Sequence, residues 1–333
     1  MYIDLSDQWR RLGLGSRLEV RDGVILADGE TIEIKRPKLR SLRARAAYLL
    51  YLRELARDDR YNVAIIGAWK SGKLVEPPEI KINPLFLFLP FLISMPPALL
   101  VHHLSLQLMV GVSAIIASYI ALFLYLKSKC IKVDYITIIK TKYKDLDFLK
   151  KNKKEILENP AILGEYEAYH FKAKGICVVK DRTANAMSFE TPFGSIILAT
   201  TGLLARLKPE EIEAALRHEE GHIRLHHMYK ILLFLISEFI LRIYLINYVY
   251  ANISLYLIGI HLIGASLLYT ALIRLYEYEA DRYAGSGHLA TGLLKVGWNE
   301  VVEEVLYPAY SRLKFLVKTH PNTLDRVLRI WTW

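Results

Sequence analysis

At 333 residues, 53% of them hydrophobic and 23% charged, with a mean hydropathy of +0.21, the chain is too apolar for an ordinary soluble domain and too charged to lie wholly within a membrane. The net charge of +10 could suit nucleic acid, but Lys and Arg number 16 in 1–83, none in 84–126, 19 in 127–230, one in 231–273 and 8 in 274–333. Basic residues excluded from apolar runs and crowded beside them mark a polytopic membrane protein and argue against a nucleic-acid partner.

The opening Met1-Tyr2-Ile3-Asp4 carries an early acid and no apolar core of signal-peptide length, so insertion is expected through internal spans. Residues 17–34 alternate apolar and polar side chains around Asp22-Gly23 and Asp28-Gly29, which predicts a small β-meander. A basic helix is expected over 38–60, giving 1–83 the character of a soluble α+β region. Gly67-Ala68-Trp69-Lys70-Ser71-Gly72-Lys73 fits the spacing of a phosphate-cradling loop. Leu74 stands where that loop needs Ser or Thr, however, and Pro77-Pro78 forbid the helix behind it, so no nucleotide is expected and the segment reads as a Gly/Lys loop.

From Pro84 to Leu126 there is no Lys, Arg, Asp or Glu, long enough for a hairpin of two membrane helices turning near His102-His103. Residues 127–230 are polar again, with a Lys-rich helix-like stretch (142–158) and strand-like runs at 175–180 and 195–200. Cys130 and Cys177 lack any Cys-x-x-Cys spacing and read as free thiols. Pro209 followed by Glu210, Glu211 and Glu213 signals a helix start. That helix carries His218-Glu219-Glu220-Gly221-His222, in which the i and i+4 imidazoles share a face and can converge on one ion. Glu219 beside them suits a general base.

Two further apolar stretches fill 231–273, separated near Asn252 by a connection without Lys or Arg. Glu238 and Arg242 interrupt the first, and must pair or border a water-filled chamber. Both hairpins then put their uncharged turns on one side of the membrane. The catalytic region and both termini fall on the cytoplasmic side of the cell membrane. Two histidines do not complete a catalytic zinc site, which normally takes three protein ligands. His226 is too far along the helix axis, and Leu225 and Met228 exclude an extended motif, so the third ligand comes from elsewhere.

After the fourth span stands Tyr276-Glu277-Tyr278-Glu279-Ala280-Asp281. An H-E-x-x-H helix, two spans and then E-x-x-A-D resembles the HtpX-like integral membrane zinc metallopeptidases, relatives of the CAAX prenyl endopeptidases. Asn185-Ala186-Met187-Ser188, Thr200-Thr201-Gly202-Leu203-Leu204, and His320-Pro321 with Arg326 are similar to further segments of that family, although Met187 and Ser188 depart from its N-A-F-A. The resemblance covers about 180–330. It implies one Zn²⁺ held by His218, His222 and Glu277, with Asp281 orienting a ligating His and Asn185 and Ala186 near substrate. One or both of His320 and Arg326 would donate to the oxyanion or the substrate carbonyl. Helical geometry agrees with the register, because Glu277 and Asp281 share a face while Glu279 lies about 200° away, toward solvent or Arg282.

The expected protein is mainly α: a polytopic membrane protein with about four transmembrane helices, a zincin-like catalytic domain with a small β-sheet, and an N-terminal α+β region. In chain order these are the soluble region 1–83, the hairpin 84–126, a catalytic segment 127–230 with the zinc helix, the hairpin 231–273 and a closing catalytic segment 274–333. The resemblance implies a zinc endopeptidase acting on protein or peptide substrates, membrane proteins among them, in quality control. A CAAX-type processing protease and a membrane scaffold with a structural metal are the alternatives.

Overall fold

The computed structural model describes residues 2–57, 63–79, 103–141, 151–164, 166–172, 176–248 and 255–332. The chain is mainly α, with three small sheets among these residues. β1 (Ile3–Asp4), α1 (Ser6–Arg11), β2 (Leu18–Arg21), β3 (Val24–Ala27) and β4 (Glu30–Glu33) form the expected meander, antiparallel in the order β1-β2-β3-β4. Both two-residue turns hold left-handed pairs, Asp22-Gly23 (φ 48 and 82) and Asp28-Gly29 (φ 46 and 94), the conformation whose twist matches the flanking strands. α2 (Leu42–Ala56) starts where Ser41 Oγ accepts from Ala44 N at 2.9 Å. It buries Ala44, Ala47, Tyr48 and Leu52 against this sheet.

β5 (Val63–Lys70) and β6 (Lys73–Val75) make a hairpin around Ser71-Gly72. The Gly67–Lys73 segment is therefore mostly strand rather than the expected loop, because Ala68 and Trp69 bury their side chains. α3 (Leu104–Lys129) follows, then β7 (Tyr135–Thr141), α4 (Lys153–Glu158), α5 (Pro160–Leu163) and β8 (Glu167–Lys172), completing a sheet ordered β6-β5-β7-β8. Only 153–158 of the Lys-rich stretch is seen as this helix, since 142–150 falls outside the described residues. The third sheet runs β10-β11-β9, from β9 (Ile176–Val179), β10 (Ala186–Thr191) and β11 (Gly194–Thr200), with β10 at an edge.

The remainder is helical: α6 (Thr201–Arg206), α7 (Pro209–Arg224), α8 (His227–Tyr248), α9 (Leu255–Ala284), α10 (Gly287–Val296), α11 (Trp298–Leu306), α12 (Pro308–Val317) and α13 (Thr323–Thr332). Among the described residues, three helices are long and apolar enough to cross a membrane: α3, α8 and the Gly259–Ala284 stretch of α9. The first expected span lies outside the described residues. Gly111 of α3 permits a close crossing with α8, since a Cβ there would fall 1.9 Å from Phe239 Cζ; small residues at such crossings let van der Waals packing hold spans together. Glu238 and Arg242 do pair, with Arg242 Nε donating to Glu238 Oε1 at 3.0 Å and His261 Nε2 lying 3.2 Å from the same oxygen.

Two features depart from what the sequence suggested. Cys130, at the end of α3, and Cys177, in β9, are not free thiols but a disulfide with Cα atoms 5.2 Å apart. The bridge Lys132↔Cys177 lays the chain leaving the membrane alongside β9, which brings the two sulfurs together. The N-terminal core is also continuous with the C-terminal helices. Trp9, Ile25, Tyr48 and Leu52 share one buried cluster with Ala290, Leu294, Val301 and Val327.

Candidate active site

α7 is set by its ends and by one glycine. Pro209 occupies its first turn, Lys208 N donates to Glu211 Oε2 at 2.8 Å, and buried Glu211 is also paired with Lys295 Nζ of α10 at 2.8 Å. Gly221 then lets α9 approach, for a Cβ there would lie 3.1 Å from the Cβ of Tyr283. This crossing carries the end of α9 to the two histidines.

His218 Nε2 and His222 Nε2 lie 3.2 Å apart, and each is 3.6 Å from an oxygen of Glu277. Donor atoms arranged tetrahedrally at about 2.0–2.1 Å around an ion are separated by about 3.3–3.4 Å, close to these spacings, with Glu277 turning a different oxygen toward each ring. Among the described residues this trio can hold a metal ion. Burial pushes the His222 imidazole down to about 3, which keeps it neutral and its ring lone pair available. Burial also opposes a charge on His218, but hydrogen bonding to Asp281 and Glu277 outweighs it and raises that ring to about 9.

The carboxylates have their own supports. Asp281 Oδ1 sits 2.9 Å from His218 Nδ1, so one helical turn of α9 supplies both a ligand candidate and the group that orients a ligating ring. Arg326 donates from Nε to Asp281 Oδ2 at 2.8 Å and from Nη2 to Oδ1 at 2.6 Å, while its Nη1 lies 3.2 Å from Glu277 Oε2. Its guanidinium is buried and engaged by carboxylates rather than held open toward a substrate. α13 presents it because Glu304 of α11 accepts from Thr323 N and Leu324 N, both at 2.9 Å, and so caps that helix. His320 Nδ1 lies 3.2 Å from Glu277 Oε1, with a side chain 63% exposed.

Glu219 Oε2 accepts from Ser188 Oγ of β10 at 2.8 Å. Burial raises this carboxyl above its ordinary value, opposed by the charge on His218 and by the Ser188 hydrogen bond. Asn185 and Ala186 lead into edge strand β10. Asn185 N donates to Thr200 Oγ1 at 3.0 Å, Thr200 N returns a bond to Asn185 O at 3.0 Å, and Ala186 pairs with Ala199. Gly202 allows that corner, since a Cβ there would lie 2.3 Å from Arg182 O.

Of the nine residues singled out from the sequence, His218, His222, Glu277, Asp281, Arg326 and His320 meet through direct contacts, Glu219 joins Ser188 of β10, and Asn185 and Ala186 lie at the start of that strand. Sequence reasoning assigned no contact to Ser188 or His227, and set Glu279 toward solvent or Arg282. α7 stops at Leu225, and His226, at φ 55, reverses the chain so that His227 returns with its Nδ1 2.9 Å from His222 Nδ1. Glu279 does face away from Glu277, but it meets His227 Nε2 at 2.9 Å and lies 3.9 Å from Lys230, not against Arg282. A helical wheel drawn through a reversed chain finds neither contact.

A histidine pair and a helix-borne carboxylate converging beside a glutamate, on a scaffold of membrane-length helices, define a membrane metallopeptidase of the H-E-x-x-H class. Residues 153–333 match the profile of Peptidase family M48, more than half the chain, and the chain belongs to that family. No curated protein matches the sequence. Among solved structures, the crystal structure of S. mikatae Ste24p is similar over 46% of this chain and 44% of that one, with 21% identity and a TM-score of 0.36. The match therefore spans less than half of that protein's length.

Proposed function

We propose that the protein is a zinc endopeptidase in which His218, His222 and Glu277 hold one Zn²⁺ and Glu219 is the general base. The observation that carries this is the convergence of their donor atoms beside Glu219: the two ring nitrogens lie 3.2 Å apart, and each is 3.6 Å from a different oxygen of Glu277, spacings close to those around one tetrahedral ion. A bound zinc ion supplies Lewis acidity toward a carbonyl oxygen and a lowered pKa for water. Glu219 takes the proton of the attacking water and later passes it to the leaving amine, a role that a carboxyl raised by burial suits. Ser188 steadies it. Edge strand β10 holds an extended peptide by main-chain hydrogen bonds, with Asn185 and Ala186 at its start. Arg326 keeps Glu277 and Asp281 in place, and exposed His320 is the donor free to reach a substrate carbonyl.

Peptide segments of membrane proteins are the substrates we infer, with turnover of damaged ones as the role, because the active-site residues stand at the end of a membrane-length helix. The distribution of Lys and Arg supports a cytoplasmic site and cytoplasmic termini. Introduced cysteines labelled from outside the cell should react at 103 and near 251, and reaction near 150 would overturn that orientation. Glu219→Gln tests the chemistry: zinc content should stay at one per chain while cleavage of a casein-like substrate falls to background. Near-wild-type cleavage by this variant removes the mechanism.

A further inference from the structure

His222 binds through Nε2 in the reading above, which leaves its Nδ1 to be satisfied. The partner is an unusual one. His227 Nδ1 lies 2.9 Å away, and His227 Nε2 is 2.9 Å from Glu279 Oε2. His227 is fully buried, its ring stacked on Tyr276 with centroids 4.6 Å apart and planes 15° apart. The Glu279 carboxylate is half-exposed and lies 3.9 Å from Lys230 Nζ.

These distances admit one consistent assignment of protons. A ring that ligates through Nε2 must carry its hydrogen on Nδ1, so His222 Nδ1–H donates to His227 Nδ1, which then has to be the bare nitrogen. His227 must therefore hold its hydrogen on Nε2, where the Glu279 carboxylate accepts it. The geometry points to His227 and Glu279 as positioning residues that fix the tautomer and ring orientation of His222, a relay of one imidazole and one carboxylate parallel to the direct Asp281–His218 contact. Each histidine ligand then ends on a carboxylate of α9, Asp281 for one and Glu279 for the other. Glu277, Glu279 and Asp281 thus all serve the same ion although they point to different sides of the helix, because His227 carries the effect of Glu279 around it.

The relay rests on the zinc reading, and its test separates the two. Zinc dissociation constants are measured on the full-length chain in detergent, by competition with a chromogenic chelator. The set is wild type, His227→Phe, Glu279→Ala, the double variant and Glu279→Gln. His227→Phe keeps a ring to stack on Tyr276 but no nitrogen; Glu279→Ala changes a half-exposed residue whose loss leaves the fold intact. Each should weaken zinc by about 10–100-fold. The double variant should be no weaker than the worse single, because both break one chain of bonds. Glu279→Gln, whose amide oxygen still accepts from Nε2, should recover most of the affinity. Wild-type affinity in both singles, or losses that simply add, overturns the relay while leaving the metal site standing. Failure of the wild type itself to bind zinc overturns the metal reading and the relay with it.

Discussion

Asp281 and His218 meet at 2.9 Å across two helices, and Asp281 is the more deeply buried of the pair, with no exposed surface at all. A carboxylate in that position would fix which nitrogen of His218 is turned toward a bound ion. Asp281→Asn should weaken zinc by about 10–100-fold, because the amide can turn its NH₂ toward the ring and favour the wrong tautomer. Competitive titration with a chelator reads the change, and unaltered affinity would show that His218 needs no such partner.

Arg326 and His320 should separate in behaviour. Arg326 is a buried cation between two carboxylates, so Arg326→Ala leaves both uncompensated and should cost about 3–5 kcal/mol of stability, visible as a lowered Tm. His320→Ala, at an exposed ring, should leave Tm and zinc content unchanged and lower kcat. A normal Tm in the first variant, or a normal kcat in the second, would reject the respective assignment.

Ser188→Ala removes the hydroxyl that holds Glu219 at 2.8 Å. One hydrogen bond to a charged group contributes about 1.5–3 kcal/mol, so kcat/KM should fall roughly 10–100-fold with zinc retained. Ser188→Thr, which keeps the hydroxyl, should recover much of the loss. Equal activity in all three proteins would mean that the catalytic glutamate is held by other means.

Asp28 gives a pH-dependent prediction far from the site. Its carboxylate accepts from Trp9 Nε1 at 2.8 Å, Ser16 N at 2.9 Å, Ser16 Oγ at 2.7 Å and Arg17 N at 2.8 Å, and these bonds hold its pKa below the usual range. The folded value lies below the unfolded one, so the stabilisation is complete above about pH 4 and is lost as pH falls through the folded value. Melting followed by circular dichroism should show Tm falling on acidification below pH 4. In Asp28→Ala, Tm should start lower and change less over the same range. Parallel curves for the two proteins would assign the acid sensitivity to other carboxylates.

What was legible in the sequence follows from the range of each signal. The three described spans show as apolar stretches, the meander as paired Asp-Gly turns, and the His218–His222 and Glu277–Asp281 pairs as helical spacing, all local patterns. Gly67–Lys73 misled because its glycines and lysines describe a turn, while the buried residues between them make it a strand. The Cys130–Cys177 bond joins residues 47 apart through a bridge that no motif announces. His227 and Glu279 became visible only once the left-handed His226 had redirected the chain. The shared core of α2 with α10, α11 and α13 pairs residues more than two hundred positions apart, and neither partner carries a pattern naming the other.

α9 is one unbroken helix of 30 residues, about 45 Å long, against a hydrocarbon layer of about 30 Å. The helix exceeds that layer by about 15 Å and carries Glu277 and Asp281 in its last turns, whereas His218 and His222 sit on the separate helix α7. With its N-terminal part in lipid, the helix would act as a lever on the site. An arm of roughly 15 Å needs only about 4° of tilt to shift its tip by 1 Å, and hydrophobic mismatch tilts spans by more than that. We expect acyl-chain length to be coupled mechanically to the spacing between the glutamate and the two imidazoles. Reconstitution into vesicles of graded thickness should move catalytic rate through an optimum, with the chemical composition of the protein held constant.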